Sequence, residues 1–179
     1  MKTISKIMFF TLLIASILTA CKGPAGPPGK DGQDGMDGTD GNANVRTYVF
    51  NTTTMSGSVF TFNLNAITQD VLDNDVILTY YKQSGFYYAA PGPGYGGYYI
   101  TRVYSTVGIH YLQFYNWNGT SYSISAGDIT KVKIIIIEST NTTSSKEANR
   151  MKMLDELENA GVNINNYYAV CEYLGIDPE

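Results

Sequence analysis

Glycine recurs at positions 23, 26, 29, 32, 35, 38 and 41 without a miss, a run of seven Gly-X-Y triplets. Strict period three is the signature of a collagen-type triple helix, because only glycine fits at its crowded axis. Pro24, Pro27 and Pro28 pre-set the polyproline geometry of the first triplets. Asp31, Asp34, Asp37 and Asp40 occupy four successive Y positions. A trimer would stack about twelve carboxylates along one short rod, offset mainly by Lys22 and Lys30, and without cations that repulsion is unfavourable. The tract therefore reads as an extended, hydrated spacer in preference to a triple helix, reaching on the order of 70 Å at about 3.1 Å per residue.

The residues ahead of the tract read as an address. Lys2 and Lys6 supply a positive n-region, and Ile7 to Leu18 form an apolar run of about twelve residues. A membrane span needs roughly 20 residues, so this run is a cleavable signal and not a span. It ends in Leu18-Thr19-Ala20-Cys21, which resembles the lipobox of bacterial lipoproteins. In that family the chain is cut before the cysteine, whose sulfur is diacylated. Cys21 is thus the expected lipidation site, and two or three acyl chains give stable anchoring where one would be marginal. The next residue is Lys22 and not the Asp that retains enterobacterial lipoproteins at the inner membrane, so the resemblance implies an outer-membrane destination; the expected localisation is the outer membrane, surface-exposed.

From Val45 the composition changes abruptly. Twelve of the fifteen tyrosines lie between Tyr48 and Tyr122, among Thr, Val, Ile and Phe. These are strand formers, and the runs alternate with period two. Strands are predicted at 45–50, 58–64, 76–82, 86–90, 98–105, 108–116, 121–125 and 129–138. The last is apolar on both faces, with Val132, Ile134 and Ile136 opposite Ile135 and Ile137, so it belongs at a sheet centre. Asn118-Gly119 and Ala126-Gly127-Asp128 read as turns, and Gly85 separates two aromatic runs. A single helical turn is expected at 67–72. Ala148, Met151, Leu154 and Leu157 then recur at helical spacing until Gly161. A second short helix should run from Asn165 as N-cap to Leu174, with Gly175 as the stop and Tyr168, Cys171 and either Leu174 or Tyr167 on one face.

The expected fold is mainly β: a compact antiparallel sandwich or barrel of about eight strands, with two short C-terminal helices. The domain order is signal peptide 1–20, lipidated Cys21 and stalk 21–44, β-domain 45–140, and a helical tail 141–179 packed on the β-domain.

The whole order resembles the collagen-like lipoproteins of Bacteroidetes: lipobox, Gly-X-Y tract, Gly41-Asn42-Ala43-Asn44-Val45, tyrosine-rich β-domain. So does Ile67-Thr68-Gln69-Asp70-Val71-Leu72-Asp73-Asn74 followed by Val76-Ile77-Leu78-Thr79-Tyr80-Tyr81. The resemblance covers nearly the whole mature chain and implies a surface or periplasmic lipoprotein. It supplies no catalytic residues. Phe86-Tyr87-Tyr88-Ala89-Ala90-Pro91 stands where those proteins have Trp and Leu-Pro.

Chemistry is sparse. A net charge of -4 and a pI near 4.9 argue against nucleic acid as partner, since phosphate contacts need clustered Lys and Arg. One His and two Cys exclude a zinc site built from those residues alone. His110 lies in a predicted strand and reads as structural; Cys171, among Tyr168, Val170 and Leu174, reads as core. Asp70, Asp73 and Asp75 cluster, with Asp128, Glu138 and Glu172 scattered, so a carboxylate-based hydrolase is the least favoured reading. Asp70, Asp73 and Asp75 more readily cap a helical turn, and no cofactor is implied.

The strongest candidate site is the loop Pro91-Gly92-Pro93-Gly94-Tyr95-Gly96-Gly97, bracketed by Tyr87, Tyr88, Tyr95, Tyr98 and Tyr99, with Trp117 further along. Exposed Tyr and Trp present rigid amphipathic faces at low entropy cost, which suits sugar rings or protein surfaces. The expectation is a non-enzymatic binding protein for a glycan or surface protein. The alternative is a structural protein that trimerises through its stalk.

Overall fold

The computed structural model describes residues 44–139 and 146–178. The signal peptide, Cys21 and the Gly-X-Y tract lie outside the described residues. The described residues all belong to one compact unit.

The fold is mainly β. Eight strands, β1 (Val45–Asn51), β2 (Val59–Asn63), β3 (Val76–Gln83), β4 (Phe86–Ala90), β5 (Gly92–Pro93), β6 (Ile100–Thr106), β7 (Ile109–Tyr115) and β8 (Ile129–Ile137), form two four-stranded antiparallel sheets. Their orders are β1-β8-β3-β4 and β2-β7-β6-β5. Among the described residues the α-helices are α1 (Gln69–Asn74), between β2 and β3, and α2 (Lys146–Asn159) and α3 (Tyr167–Leu174), after β8. Among the described residues, no helix is long and apolar enough to cross a membrane.

Period-two alternation builds the main core. Phe60 and Phe62 of β2 and Leu112 and Phe114 of β7 meet Tyr81 of β3 and Val132, Ile134 and Ile136 of β8, so the two sheets share one apolar interior. The arrangement is compatible with a β-sandwich. Its first sheet is buried on the other face too. There Val76, Leu78, Tyr80, Ile135 and Ile137 pack against Leu157 of α2 and Tyr167, Val170, Cys171 and Leu174 of α3. That double burial is why β8 is apolar on both faces and sits inside its sheet, between β1 and β3.

Lys133 is buried on this helical side of β8. A buried ammonium needs partners. Its Nζ donates to the Tyr167 hydroxyl at 2.6 Å and the Pro178 carbonyl at 2.8 Å, with the Tyr87 and Tyr167 rings 5.5 and 5.2 Å away.

Turn chemistry sets the register of the first hairpin. Ser84 and Gly85 both adopt positive φ, 51° and 87°, as a two-residue turn matched to strand twist requires, and Gln83 pairs with Phe86 across it. The expected helical turn at 67–72 forms two residues later, as α1, where the Thr68 side chain caps the Val71 amide at 3.3 Å. For α3 the N-cap is Asn166 in place of Asn165, its side chain accepting from Tyr168 and Ala169, and Gly175 closes the helix at φ 64°. Tyr167, Val170, Cys171 and Leu174, spaced three and four apart, turn inward onto the sheet, and Tyr168 is left exposed, correcting its expected place beside Cys171.

Two other expectations change. Residues 121–125 form no strand, only isolated bridges at Tyr115–Ser121 and Gly57–Ile124. This stretch is held by burial of Ile124 and stacking of Tyr122 on Tyr99, at 4.8 Å between ring centroids. The eighth strand is instead β5, inside the Gly/Pro loop. The chain passes there from one sheet to the other through the cis Ala90–Pro91 peptide.

Candidate functional site

Tyr87 and Tyr88 are neighbours on β4 and point to opposite faces. Tyr87 turns toward the helices, its ring 4.0 Å from that of Tyr167, and so lies away from the loop surface. Tyr88 turns the other way, stacks on Tyr81 at 5.6 Å and meets the edge of Tyr95 at 6.2 Å.

Glycines shape the loop that follows. A Cβ on Gly94 would stand 2.1 Å from the Tyr99 ring, so only glycine lets the backbone lie against that side chain. Gly96 and Gly97 take positive φ, 61° and 71°, in the tight turn Tyr95–Gly97. The Gly94 amide donates to the Tyr99 carbonyl at 2.8 Å.

Tyr99 itself is a buried post beneath the loop. Its hydroxyl donates to Gln83 Oε1, and its ring packs on Phe114 and Tyr122. Of the six expected site residues, Tyr87 and Tyr99 are therefore packing residues. Tyr95, Tyr98 and Trp117 are exposed, with Tyr88 half-buried behind Tyr95. Tyr95 and Tyr98 lie 6.4 Å apart. Trp117 reaches the cluster from the turn after β7, its Nε1 donating to the Gly97 carbonyl at 2.7 Å. Residues 83–101 carry no charged side chain, so the surface is aromatic and electrically neutral.

A second aromatic surface lies on the outer face of the sheet β2-β7-β6-β5. Tyr104 and Tyr111, paired across β6 and β7, stack at 4.4 Å with planes 12° apart. The Arg102 guanidinium lies 4.7 Å from the Tyr115 ring centroid, and the Tyr115 hydroxyl donates to Gln113 Oε1 at 2.9 Å. Of these residues only Tyr115 stands out in the sequence, as a neighbour of Trp117; Arg102, Tyr104, Tyr111 and Gln113 do not. The period-two alternation of 100–106 and 109–115 carries the signal once the Val107-Gly108 turn is seen to join them.

The remaining candidates lie apart from this loop. His110 is buried between Thr79 Oγ1, 3.0 Å from Nε2, and Ser105 Oγ, 2.7 Å from Nδ1. Burial pulls its pKa down to about 4, so the ring is neutral and a weak base. Ser105 and His110 line a cavity of about 490 Å³, but a threonine and not a carboxylate stands behind the ring. The acid cluster is spent locally. Asp73 accepts from Gln69, Asp70 from Asn74, Asp128 from the Ser125 amide, and Glu138 pairs with Arg46 at 2.7 Å. Asp75 is buried and accepts from the Ser139 amide; burial, with Glu138 and Asp70 nearby, raises its pKa. Cys171 is buried, and its thiol pKa is likewise raised by burial. Among the described residues, no three His, Cys, Asp or Glu side chains gather where they could hold a metal ion. Comparison with protein-family models, curated proteins and solved structures finds no match for this chain.

Proposed function

We propose that this chain is a lipid-anchored, non-enzymatic protein of the outer membrane whose β-domain, read as a sandwich, binds a glycan outside the membrane. Cys21 carries the anchor in this reading, and the Gly-X-Y stalk holds the domain off the lipid. The likeness to collagen-like lipoproteins supports the anchor and the address. The observation that supports binding is the gathering of three exposed rings at one uncharged loop: Tyr95, backed by Tyr88, Tyr98 beside it, and Trp117 tied to the Gly97 carbonyl. Burying such rings against solvent-facing C–H surfaces is favourable, and sugars present those surfaces without needing a deep pocket.

The test is the full chain, immobilised multivalently and screened on a broad glycan array, since avidity raises weak single-site binding by about 10² or more. Selective binding that disappears in the Tyr95→Ala/Tyr98→Ala variant supports the reading. A blank array removes it and leaves a protein-binding or assembly role. Equilibrium sedimentation then decides the assembly role, because a monomer at micromolar concentration is incompatible with a stalk trimer. Labelled palmitate incorporated by the wild type and lost on Cys21→Ser tests the anchor.

A further inference from the structure

We infer that the outer face of the sheet β2-β7-β6-β5 is a second binding surface, one that takes a linear polysaccharide carrying uronate carboxylates; this rests on the reading of the domain as glycan-binding.

One face of an antiparallel sheet that meets water is normally polar. Here the outward positions are 59, 61 and 63 of β2, the even residues of 100–106 and the odd residues of 109–115, all exposed or half-buried. They carry three tyrosines and a single charge, Arg102. The first sheet's outer face is covered by α2 and α3, whereas this one keeps Tyr104 at 45% exposure. A surface depleted of charge and carrying three tyrosines around one arginine has the composition of a binding face.

Its polar chemistry names the ligand. Arg102 stands opposite Gln113, between the Tyr104–Tyr111 stack and Tyr115. A guanidinium only donates. Gln113 spends its carbonyl on the Tyr115 hydroxyl and is left presenting its amide N–H groups. The middle of the strip therefore offers donors and a positive charge. No carboxylate among the described residues pairs with Arg102. The complement is an anion with paired acceptors in a plane, which a carboxylate is and a hydroxyl is not. Aromatic rings above and below it suit sugar faces on either side of the carboxylate-bearing unit. Seven residues of strand give the strip a length of about 20 Å, enough for several sugar rings in a line.

The test titrates the immobilised full chain with polygalacturonate, its fully methyl-esterified form and neutral dextran. The acid should bind at least about tenfold more tightly than the ester, and less tightly as salt is raised. Arg102→Gln should weaken the acid by about tenfold or more and leave the ester unchanged, and Arg102→Lys should recover only part, having charge without the planar fork. Equal binding of acid and ester, or an Arg102→Gln chain that binds the acid as wild type does, overturns the inference. If neutral glycans bind and depend on Tyr95 and Tyr98 while Arg102 is indifferent, the proposed function stands and this surface falls. If no glycan of either kind binds, both fall.

Discussion

Trp117 Nε1 donates a 2.7 Å hydrogen bond to the carbonyl of Gly97, joining the turn after β7 to the loop before β6. The two segments are twenty residues apart, and this bond holds the indole at the loop that carries Tyr95 and Tyr98. Trp117→Phe keeps an aromatic face and removes the donor. An exposed hydrogen bond contributes about 0.5–1.5 kcal/mol, so the loop should loosen while the domain stays folded. Glycan binding by the Phe variant should fall by about three- to tenfold, with faster amide exchange at Gly96 and Gly97. Wild-type exchange there would show that the bond does not brace the loop.

Tyr98 and Tyr99 are adjacent and have opposite roles, which separates binding from stability. Tyr98 is 66% exposed and Tyr99 is 1% exposed. Tyr95→Ala/Tyr98→Ala should abolish ligand binding and move stability by no more than about 0.5 kcal/mol per site, the usual range for surface changes. Tyr99→Ala empties a core position against Phe114 and Tyr122 and should cost about 3–5 kcal/mol. Thermal melts and bead-binding assays on the same samples check both halves. A double variant that melts early would mean the exposed rings serve packing.

That contrast also marks how far the sequence can be read. The strands of β1, β3, β4, β7 and β8 stand close to where alternation places them, because each buries one or both faces against a continuous core. β8 is legible as a central strand from Ile134 to Ile137 alone. Adjacent aromatics such as Tyr87-Tyr88 or Tyr98-Tyr99 carry no such information, since either member can face inward until the partner strand is known. Which sheet a strand joins is also silent, because the passage at Pro91 depends on contacts between residues far apart. Residues 121–125 alternate like a strand, yet Tyr122 and Ile124 are held by packing without a paired ladder. Alternation places Lys133 on the face of Ile135 and Ile137, where it is buried, but it gives no sign of the Tyr167 hydroxyl and Pro178 carbonyl that receive the ammonium.

His110 sets a pH dependence whose sign follows from its surroundings. Burial lowers its folded-state pKa to about 4, against about 6.5 in the unfolded chain, so the unfolded state binds the extra proton between those values. The stabilisation is complete above the unfolded pKa and is lost as pH falls toward 4. It amounts to about 3 kcal/mol between pH 7.5 and pH 4. Asp75, with a raised pKa, slopes the other way, so comparison with a variant is needed to isolate the histidine. Urea unfolding across that range should show a steeper loss for wild type than for His110→Gln. Parallel curves would mean that the ring is protonated without cost.

Lys133 and Tyr167 form a buried pair in which the two partners should respond unequally to removal. The Lys133 ammonium donates to the Tyr167 hydroxyl, which in turn donates to the Pro178 carbonyl at 2.9 Å. Tyr167→Phe takes one acceptor from a buried charge and should cost about 1–3 kcal/mol. Lys133→Met removes the charge and keeps the volume of its stem between the Tyr87 and Tyr167 rings. Replacing a buried charge by a well-packed apolar side chain is often close to neutral, so this variant should lose less than about 1 kcal/mol. In the Met background the Tyr167→Phe change should then cost little, because no ammonium is left to satisfy. A double-mutant cycle by urea unfolding measures that coupling at about 1–2 kcal/mol. Strict additivity would show that the hydroxyl contributes nothing to holding the lysine.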